Sequence, residues 1–320
     1  MPTTRDYWWG LPALLVGVLA MVAGDVGTGR ALANGVFFLL GLGAVVWVGR
    51  AAWTPGPVAG CVLCGLLLAS LLGPGLDGVH RWIDIGPLSL NVSMLVAPLV
   101  LAVMAHLIAH ERVRWAVALA ATVQLIHLAQ PDAAQGAAFA TGAIVLLLMS
   151  FERPSALTLT GAAALLACAL ATFARRDPLA PVAEVEGIVG LARDASALLG
   201  ALALIACFLQ TVPFVRSALL SRRSATRIVR AAPTAVCAYV VVQLLAPIVL
   251  HAPVPVMGYG PSTVLAYAAA FIATRAMPRD ATPAKRSGVA RGSWTAEQRP
   301  LGTAPTRTRR TRTTSPRSGY

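Results

Sequence analysis

Two carboxylates and a nearby arginine stand close together in the second half of the chain. Glu184 and Glu186 lie two positions apart, and Arg193 follows Glu186 by two helical turns, which could place both on one helix face. A carboxylate can move a proton in catalysis, and a guanidinium group can bind phosphate. The same pattern also fits an acidic first turn that complements a helix dipole, so the residues alone leave both interpretations open.

Three further arginines stand beside long apolar runs. They are Arg81, Arg175 and Arg176. Each could bind an anion at the edge of a membrane, or could simply extend its charged end from lipid towards water.

The histidines and cysteines do not predict a metal site. His106 and His110 are spaced i,i+4 without an evident third ligand, and the Cys61-x-x-Cys64 pair lies in an apolar run without a second pair. We therefore expect an interfacial, non-metal role for the histidines and helix packing for the cysteines.

One polar stripe lies within an apolar run. Gln124, His127 and Gln130 recur at intervals of three residues, which places them on one side of a helix. This spacing favours a hydrogen-bonded seam inside a helical bundle over a proton path.

The composition shows what kind of structure must position these residues. Of the 320 residues, 57% are hydrophobic and only 12% are charged, and the mean hydropathy is +0.71. So few charges could not cover the surface of a soluble globular enzyme of this size. The apolar runs are continuous rather than alternating, which predicts an all-α polytopic membrane bundle of about ten spans. The predicted spans are residues 8–24, 32–49, 56–73, 92–109, 115–130, 134–150, 155–173, 188–209, 232–250 and 262–276.

The distribution of charge predicts the orientation of this bundle. With both termini in the cytoplasm, 21 of the 26 Lys and Arg residues fall in inner segments, as the positive-inside rule requires. Acidic residues collect on the outer face, and acids carry little topological information, so function on that face is one candidate reason. The outer acids are Asp25, Asp77, Asp84, Asp132, Asp177, Glu184, Glu186 and Asp194.

The chain divides into a transmembrane bundle over residues 1–277 and a basic tail over residues 278–320. The tail is rich in Thr, Ser, Pro and Gly and contains a cluster of arginines from Arg307 to Arg312. We expect it to be disordered and cytoplasmic, where it either enforces topology or adheres to anionic lipid. Binding to nucleic acid is not expected, because aromatic residues are nearly absent from it.

Four segments, each at the outer end of a predicted span, resemble motifs of one family in the same order. They are His80-Arg-Trp-Ile-Asp-Ile-Gly-Pro-Leu-Ser-Leu-Asn-Val-Ser93, Gln130-Pro-Asp132, residues 181–194 running on to 199–202, and Ala252-Pro-Val-Pro-Val-Met-Gly-Tyr-Gly-Pro-Ser262. They resemble the SEDS family, the FtsW/RodA/SpoVE-like membrane proteins of bacterial cell-wall synthesis. The resemblance covers most of residues 10–276.

This resemblance implies a multi-pass protein of the bacterial inner membrane that polymerises lipid II, a polyprenyl-linked peptidoglycan precursor, with a class B penicillin-binding protein as partner. It implies that Glu186 is the general base and that Asp132 orients the site. Arg81 and Arg176, or a divalent cation, would neutralise the departing pyrophosphate. The remaining residues implied to bind substrate are Trp82, Glu184, Arg193, Tyr259 and Ser262.

The chain also departs from the family pattern. Glu186 stands where the family has Asp, Glu184 stands where it has His, and only 54 positions separate Asp132 from Glu186, far fewer than in the family. These differences predict a glycosyltransferase activity that is reduced, altered or lost. They leave open a non-catalytic scaffold that docks a penicillin-binding protein or a division component. A lipid or small-solute transporter is less favoured, since we see no inverted repeat.

Overall fold

The computed structural model describes residues 2–51, 53–175 and 177–279. Within them lie a 3₁₀ turn at Thr4–Gly10 and a two-stranded hairpin, β1 (Trp82–Ile85) and β2 (Leu88–Asn91). All other regular structure is α-helical. The helices are α1 (Leu11–Ala23), α2 (Thr28–Ala51), α3 (Pro57–Leu71), α4 (Val92–Ala109), α5 (Val113–Ala129), α6 (Ala133–Met149), α7 (Ala156–Phe173), α8 (Ile188–Ala195), α9 (Ala197–Leu209), α10 (Val212–Ser221), α11 (Arg227–Val249) and α12 (Pro261–Arg275).

The helices form the predicted all-α membrane bundle. Among the described residues, six helical segments are long and apolar enough to cross a membrane, and three further apolar helices are shorter. The six are Thr4–Ala23, Thr28–Ala51, Val92–Ala109, Ala156–Phe173, Ala197–Ser221 and Arg227–Val249; the shorter ones are α3, α5 and α6. Helix α12 occupies the position of the last predicted span.

Helix α4 lies at the centre of the bundle. It packs against α3, α5, α6, α11 and α12, and most of its side chains are buried. Asn91 begins this helix by accepting a hydrogen bond from the Met94 amide at 3.3 Å. Asp132 caps α6 in the same way, through the Gln135 amide at 3.1 Å. Polar side chains of the predicted outer segments therefore set where these two central helices begin.

One predicted boundary is wrong. The span predicted at residues 188–209 is interrupted at Ser196, whose backbone is extended, with φ −167° and ψ 149°. The Ser196 hydroxyl accepts a hydrogen bond from the Leu199 amide at 3.1 Å and so starts a new helix. The membrane-length segment is Ala197–Ser221, and α8 is a separate short helix before it. An apolar run alone does not reveal such a break, because both helices continue the same hydropathy.

The remainder of the predicted tail, from residue 280 onward, lies outside the described residues. Its predicted disorder therefore stays a prediction.

Helix α1 packs directly against the loop that precedes α12. A Cβ atom placed on Gly17 would lie 2.3 Å from the Met257 carbonyl oxygen, closer than any tolerated contact. Small residues that permit such close approach are typical of helix packing in membranes.

We expect Gly17→Ala to lower the thermal unfolding midpoint in detergent, because the added methyl group must push Met257 away at a cost of about 1–3 kcal/mol. Gly43→Ala is the matched control. It also lies within a helix, and among the described residues no atom lies within 4 Å of its added Cβ. It gains the same helix propensity without a clash, so its midpoint should stay or rise. Equal midpoints for the two variants would contradict this close packing.

Candidate functional site

The β1–β2 hairpin places Arg81 and Asn91 beside the start of α12. Trp82 pairs with Asn91, and the Val92 amide donates to the Arg81 carbonyl oxygen at 3.0 Å. The Asn91 amide donates to the Ser262 hydroxyl at 2.6 Å. Segments that are far apart in sequence, around residues 81–92 and 262, are thereby joined at one end of the bundle.

The Arg81 side chain is buried between two carboxylates and a backbone carbonyl oxygen. Its Nη2 donates to Asp177 and to the Pro131 carbonyl oxygen, the latter at 3.2 Å. Its Nε lies 3.9 Å from an oxygen of Asp132. Burial opposes the charge on Arg81, but the nearby Asp132 and Asp177 carboxylates outweigh burial and raise the pKa of the guanidinium above its ordinary value. Arg81 is therefore a fixed positive charge held between two acids.

The segment that carries Glu186 is a tight turn before α8. The Val182 amide donates to Glu186 Oε2 at 2.8 Å, which folds the turn back on itself. Its backbone is joined to the loop before α12, because the Tyr259 amide donates to the Glu184 carbonyl oxygen at 2.7 Å and the Val254 amide donates to that of Val185 at 3.3 Å.

The buried side chain of Asn34 on α2 forms two hydrogen bonds with the backbone of the loop before α12. Its amide nitrogen donates to the Gly258 carbonyl oxygen at 3.0 Å, and its oxygen accepts from the Gly260 amide at 3.1 Å. Gly260 has φ +123°, a conformation that side-chain-bearing residues rarely adopt. Asn34 therefore fixes the backbone on both sides of Tyr259.

These segments enclose a cleft of about 510 Å³. Residues with polar or aromatic side chains that line the cleft include Arg81, Trp82, Asp177, Glu186, Tyr259 and Ser262. A smaller cavity of about 280 Å³, which includes Asp132 and Arg175, shares Arg81 and Asp177 with the cleft. The structure thus brings most of the residues predicted for the site to one place, with Arg81 between the two cavities.

Glu186 is the partly buried carboxylate of the cleft. Burial raises its pKa above the ordinary 4.5, while the hydrogen bond from the Val182 amide and the positive charge of Arg81 oppose that rise. A carboxylate with a raised pKa is better matched to accept a proton near neutral pH. The role of Glu186 as a base stays a prediction, and this geometry agrees with it.

Three residues predicted for the site are placed differently. The Glu184 carboxylate is turned towards Arg30 on α2, with Oε1 and Nη1 2.6 Å apart, and does not line the cleft. Arg193 is 74% exposed and pairs with its neighbour Asp194 at 3.0 Å. Arg176 lies outside the described residues. The roles of these residues therefore stay predictions.

The other polar groups noted in the sequence lie away from the cleft. Gln124, His127 and Gln130 are fully buried, which confirms that they face the bundle interior, and Gln130 bonds to Ser93 and Ser70 at 2.7 Å each. Among the described residues, no group of three or more His, Cys, Asp or Glu could hold a metal ion. A divalent cation at the site stays a prediction.

Sequence reasoning did not assign Asp177 to the site. Its position beside two arginines gave only a weak signal, because nothing in the sequence relates residue 177 to residue 81. His251, which lines both cavities, was missed for the same reason. Their proximity to Arg81 exists only after the loops have folded together.

The fold is similar to that of solved membrane proteins of cell-wall synthesis. The rod shape determining protein RodA of Thermus thermophilus matches with a TM-score of 0.65 and 17% identity, covering 88% of this chain and 99% of that one. A chain of a structure described as "Structural coordination of polymerization and crosslinking by a peptidoglycan synthase complex" matches with a TM-score of 0.61 and 16% identity, covering 86% and 97%. No family model and no curated protein matches. At these identities the likeness establishes a RodA-type, SEDS-like fold, as the sequence motifs predict.

We expect Asp177→Asn to strengthen the binding of inorganic pyrophosphate, because Asp177 competes with any anion for Arg81. Loss of this competitor should lower the dissociation constant about fivefold to tenfold, or about 1–1.4 kcal/mol. The measurement is calorimetric titration of the detergent-purified protein.

Asp77→Asn is the matched control, since Asp77 lines the same cleft without an ion pair among the described residues. If both variants strengthen binding equally, the effect is one of net charge alone. If Asp177→Asn weakens binding, Asp177 does not compete for Arg81.

Proposed function

We propose that this chain is a multi-pass protein of the bacterial inner membrane that polymerises a polyprenyl-linked peptidoglycan precursor, lipid II, at the outer membrane face. The observation that carries the proposal is the position of Glu186 and Arg81 in one cleft. A base with a raised pKa and a fixed cation are the two groups that glycosyl transfer from a pyrophosphate donor requires. The SEDS-like fold agrees with this function.

The proposed reaction forms a glycosidic bond as the bond from sugar to pyrophosphate breaks. The Glu186 carboxylate takes the proton of the acceptor hydroxyl, and the acceptor oxygen attacks the anomeric carbon of the donor. The departing pyrophosphate, with its polyprenyl chain, carries away the bonding electrons. Arg81 neutralises the charge that develops on it. Trp82 and Tyr259 supply aromatic surface for the sugars.

Arg81 must exchange partners for this reaction to proceed. Asp132 and Asp177 already neutralise it in the absence of substrate. The Asp177 side chain is 35% exposed, whereas that of Asp132 is 4% exposed, so Asp177 is the partner that a pyrophosphate can displace. Asp132 would remain and keep the guanidinium oriented.

The proposal includes partners and an orientation. The chain would work with a class B penicillin-binding protein in a lipid membrane, with both termini in the cytoplasm. The positive-inside distribution of Lys and Arg supports that orientation. A divalent cation could assist Arg81 at the pyrophosphate.

A second candidate is a non-catalytic scaffold that binds the precursor or docks a penicillin-binding protein. The observation that favours it is the neutralised state of Arg81, together with the Glu186 oxygen already engaged by the Val182 amide. In this case the cleft would keep its shape without carrying out transfer.

We expect Glu186→Gln to abolish the formation of glycan strands from lipid II in proteoliposomes, because an amide cannot accept the proton. The assay is run with and without a class B penicillin-binding protein. Asp194→Asn is the control, since Asp194 is an exposed carboxylate whose partner among the described residues is Arg193. Glu186→Asp keeps the acid but withdraws it by about 1 Å, so it should retain about one hundredth of the rate.

Two results would contradict the catalytic proposal. One is polymer formation that persists in Glu186→Gln. The other is the absence of polymer under every condition while lipid II still binds, which would favour the scaffold.

The rate of polymerisation should fall on the acid side of neutrality. Glu186 acts as a base only when ionised, and burial raises its pKa above 4.5. The fraction of enzyme with ionised Glu186 therefore decreases as the pH falls through that raised pKa. We expect kcat/KM to reach half of its maximum at a pH above 4.5. The measurement is kcat/KM between about pH 4 and 8, with Asp194→Asn as reference. An acid limb at or below the ordinary value would indicate that another group is the base.

A further inference from the structure

Two adjoining cavities lie at the end of the bundle opposite the cleft. Helices α2, α4 and α12 all begin near the cleft and end here. One cavity of about 300 Å³ lies among the ends of these helices, and the other, of about 480 Å³, lies beside the loop before α3. Thr54 and His106 line both cavities, so the two form one continuous depression, which we name the basic cleft.

The titratable residues that line the basic cleft are all basic. The first cavity contains Arg275, Arg279 and His106, and the second adds His110 and Arg112. Neither cavity has an acidic lining residue among the described residues. Glu111, which lies between His110 and Arg112 in sequence, is exposed and lines neither cavity, and Asp280, which follows Arg279, lies outside the described residues.

Arg275 is partly buried and has no ion-pair partner among the described residues. Its Nη1 donates to the Thr4 hydroxyl at 3.1 Å and to the Val45 carbonyl oxygen at 3.4 Å, and both acceptors are neutral. The absence of a side chain at Gly49 leaves room for the Arg275 guanidinium, because a Cβ at this position would lie 2.2 Å from Nη2. Within the described part of the chain, no carboxylate forms an ion pair with Arg275, Arg279 or Arg112.

This situation is the reverse of that of Arg81, which two acids neutralise. A half-buried guanidinium is weakly screened by salt and retains donors suited to a bidentate phosphate contact.

The surroundings place the basic cleft at the level of lipid headgroups. Trp53 lines it, and Trp47 and Trp115 on the same end are 71% and 57% exposed. Tryptophan on the surface of a membrane protein is typical of the interface with water. The side chains of Val48 and Ile272 form an apolar wall beside Arg275. A glycerol and acyl chain could lie along that wall, whereas a free anion would leave it uncovered.

We propose that the basic cleft binds the phosphate headgroup of an anionic phospholipid, with Arg275 and Arg279 holding the phosphate and the apolar wall contacting the acyl chain. This site is independent of the proposed transfer reaction, since it lies at the other end of the bundle. It would fix the position of α2, α4 and α12 relative to the inner leaflet.

The test measures the binding of phosphatidylglycerol to the full-length protein in detergent, with phosphatidylcholine as the zwitterionic reference. The double variant Arg275→Gln/Arg279→Gln should weaken phosphatidylglycerol binding at least about tenfold and leave phosphatidylcholine unchanged. The matched control is Arg222→Gln/Arg223→Gln, which removes the same charge from exposed arginines at the same end, outside the basic cleft. This control should bind as the unaltered protein does.

A second double variant protects the test against misfolding. Arg112→Gln/Arg279→Gln keeps the Arg275 guanidinium and its hydrogen bonds to Thr4 and Val45, changes only exposed side chains, and should also weaken binding. Three results would overturn the proposal. They are an equal loss in the Arg222/Arg223 control, no preference for phosphatidylglycerol over phosphatidylcholine, or competition by inorganic phosphate as strong as that by phosphatidylglycerol. The last result would assign the basic cleft to a free anion.

Discussion

The buried charge of Arg81 is the constraint on which the rest of the cleft depends. A guanidinium removed from water is tolerated only when acceptors and counter-charges surround it. Here Asp177 and the Pro131 carbonyl oxygen accept its hydrogen bonds, and the Asp132 carboxylate lies 3.9 Å from Nε as a counter-charge. These groups come from two segments, the turn between α5 and α6 and the segment after α7, so pairing the charge joins both of them to the hairpin. The same Asp132 caps α6, so the ion pair and the start of a central helix are coupled.

Two arginines at opposite ends of the bundle, Arg81 and Arg275, are held in different ways. At the cleft, Arg81 is enclosed by acids, and Arg30 pairs with Glu184. At the other end, Arg275 donates to neutral oxygens and has no ion-pair partner among the described residues. The first arrangement suits an anion that must arrive and leave, because a carboxylate can take back the cation. The second suits an anion that stays.

Much of the fold could be predicted from hydropathy. The apolar runs predict the all-α bundle, and the predicted spans match helices along the chain, because a membrane-spanning helix must satisfy its own backbone hydrogen bonds. The break at Ser196 could not be predicted, since a single cap can divide one apolar run into two helices. The hairpin at residues 82–91 was not among the elements predicted from the sequence.

The sequence by itself determined the membrane class, the resemblance to a family, and the carboxylates that collect on the predicted outer face beside a minority of the arginines. Only the tertiary structure decided which of them meet. It brought Glu186 and Tyr259 into one cleft with Arg81, turned Glu184 towards Arg30, and left Arg193 in solvent. The reason is physical: spacing along a helix determines neighbours within that helix, whereas contacts between loops depend on backbone hydrogen bonds and on pairing a buried charge.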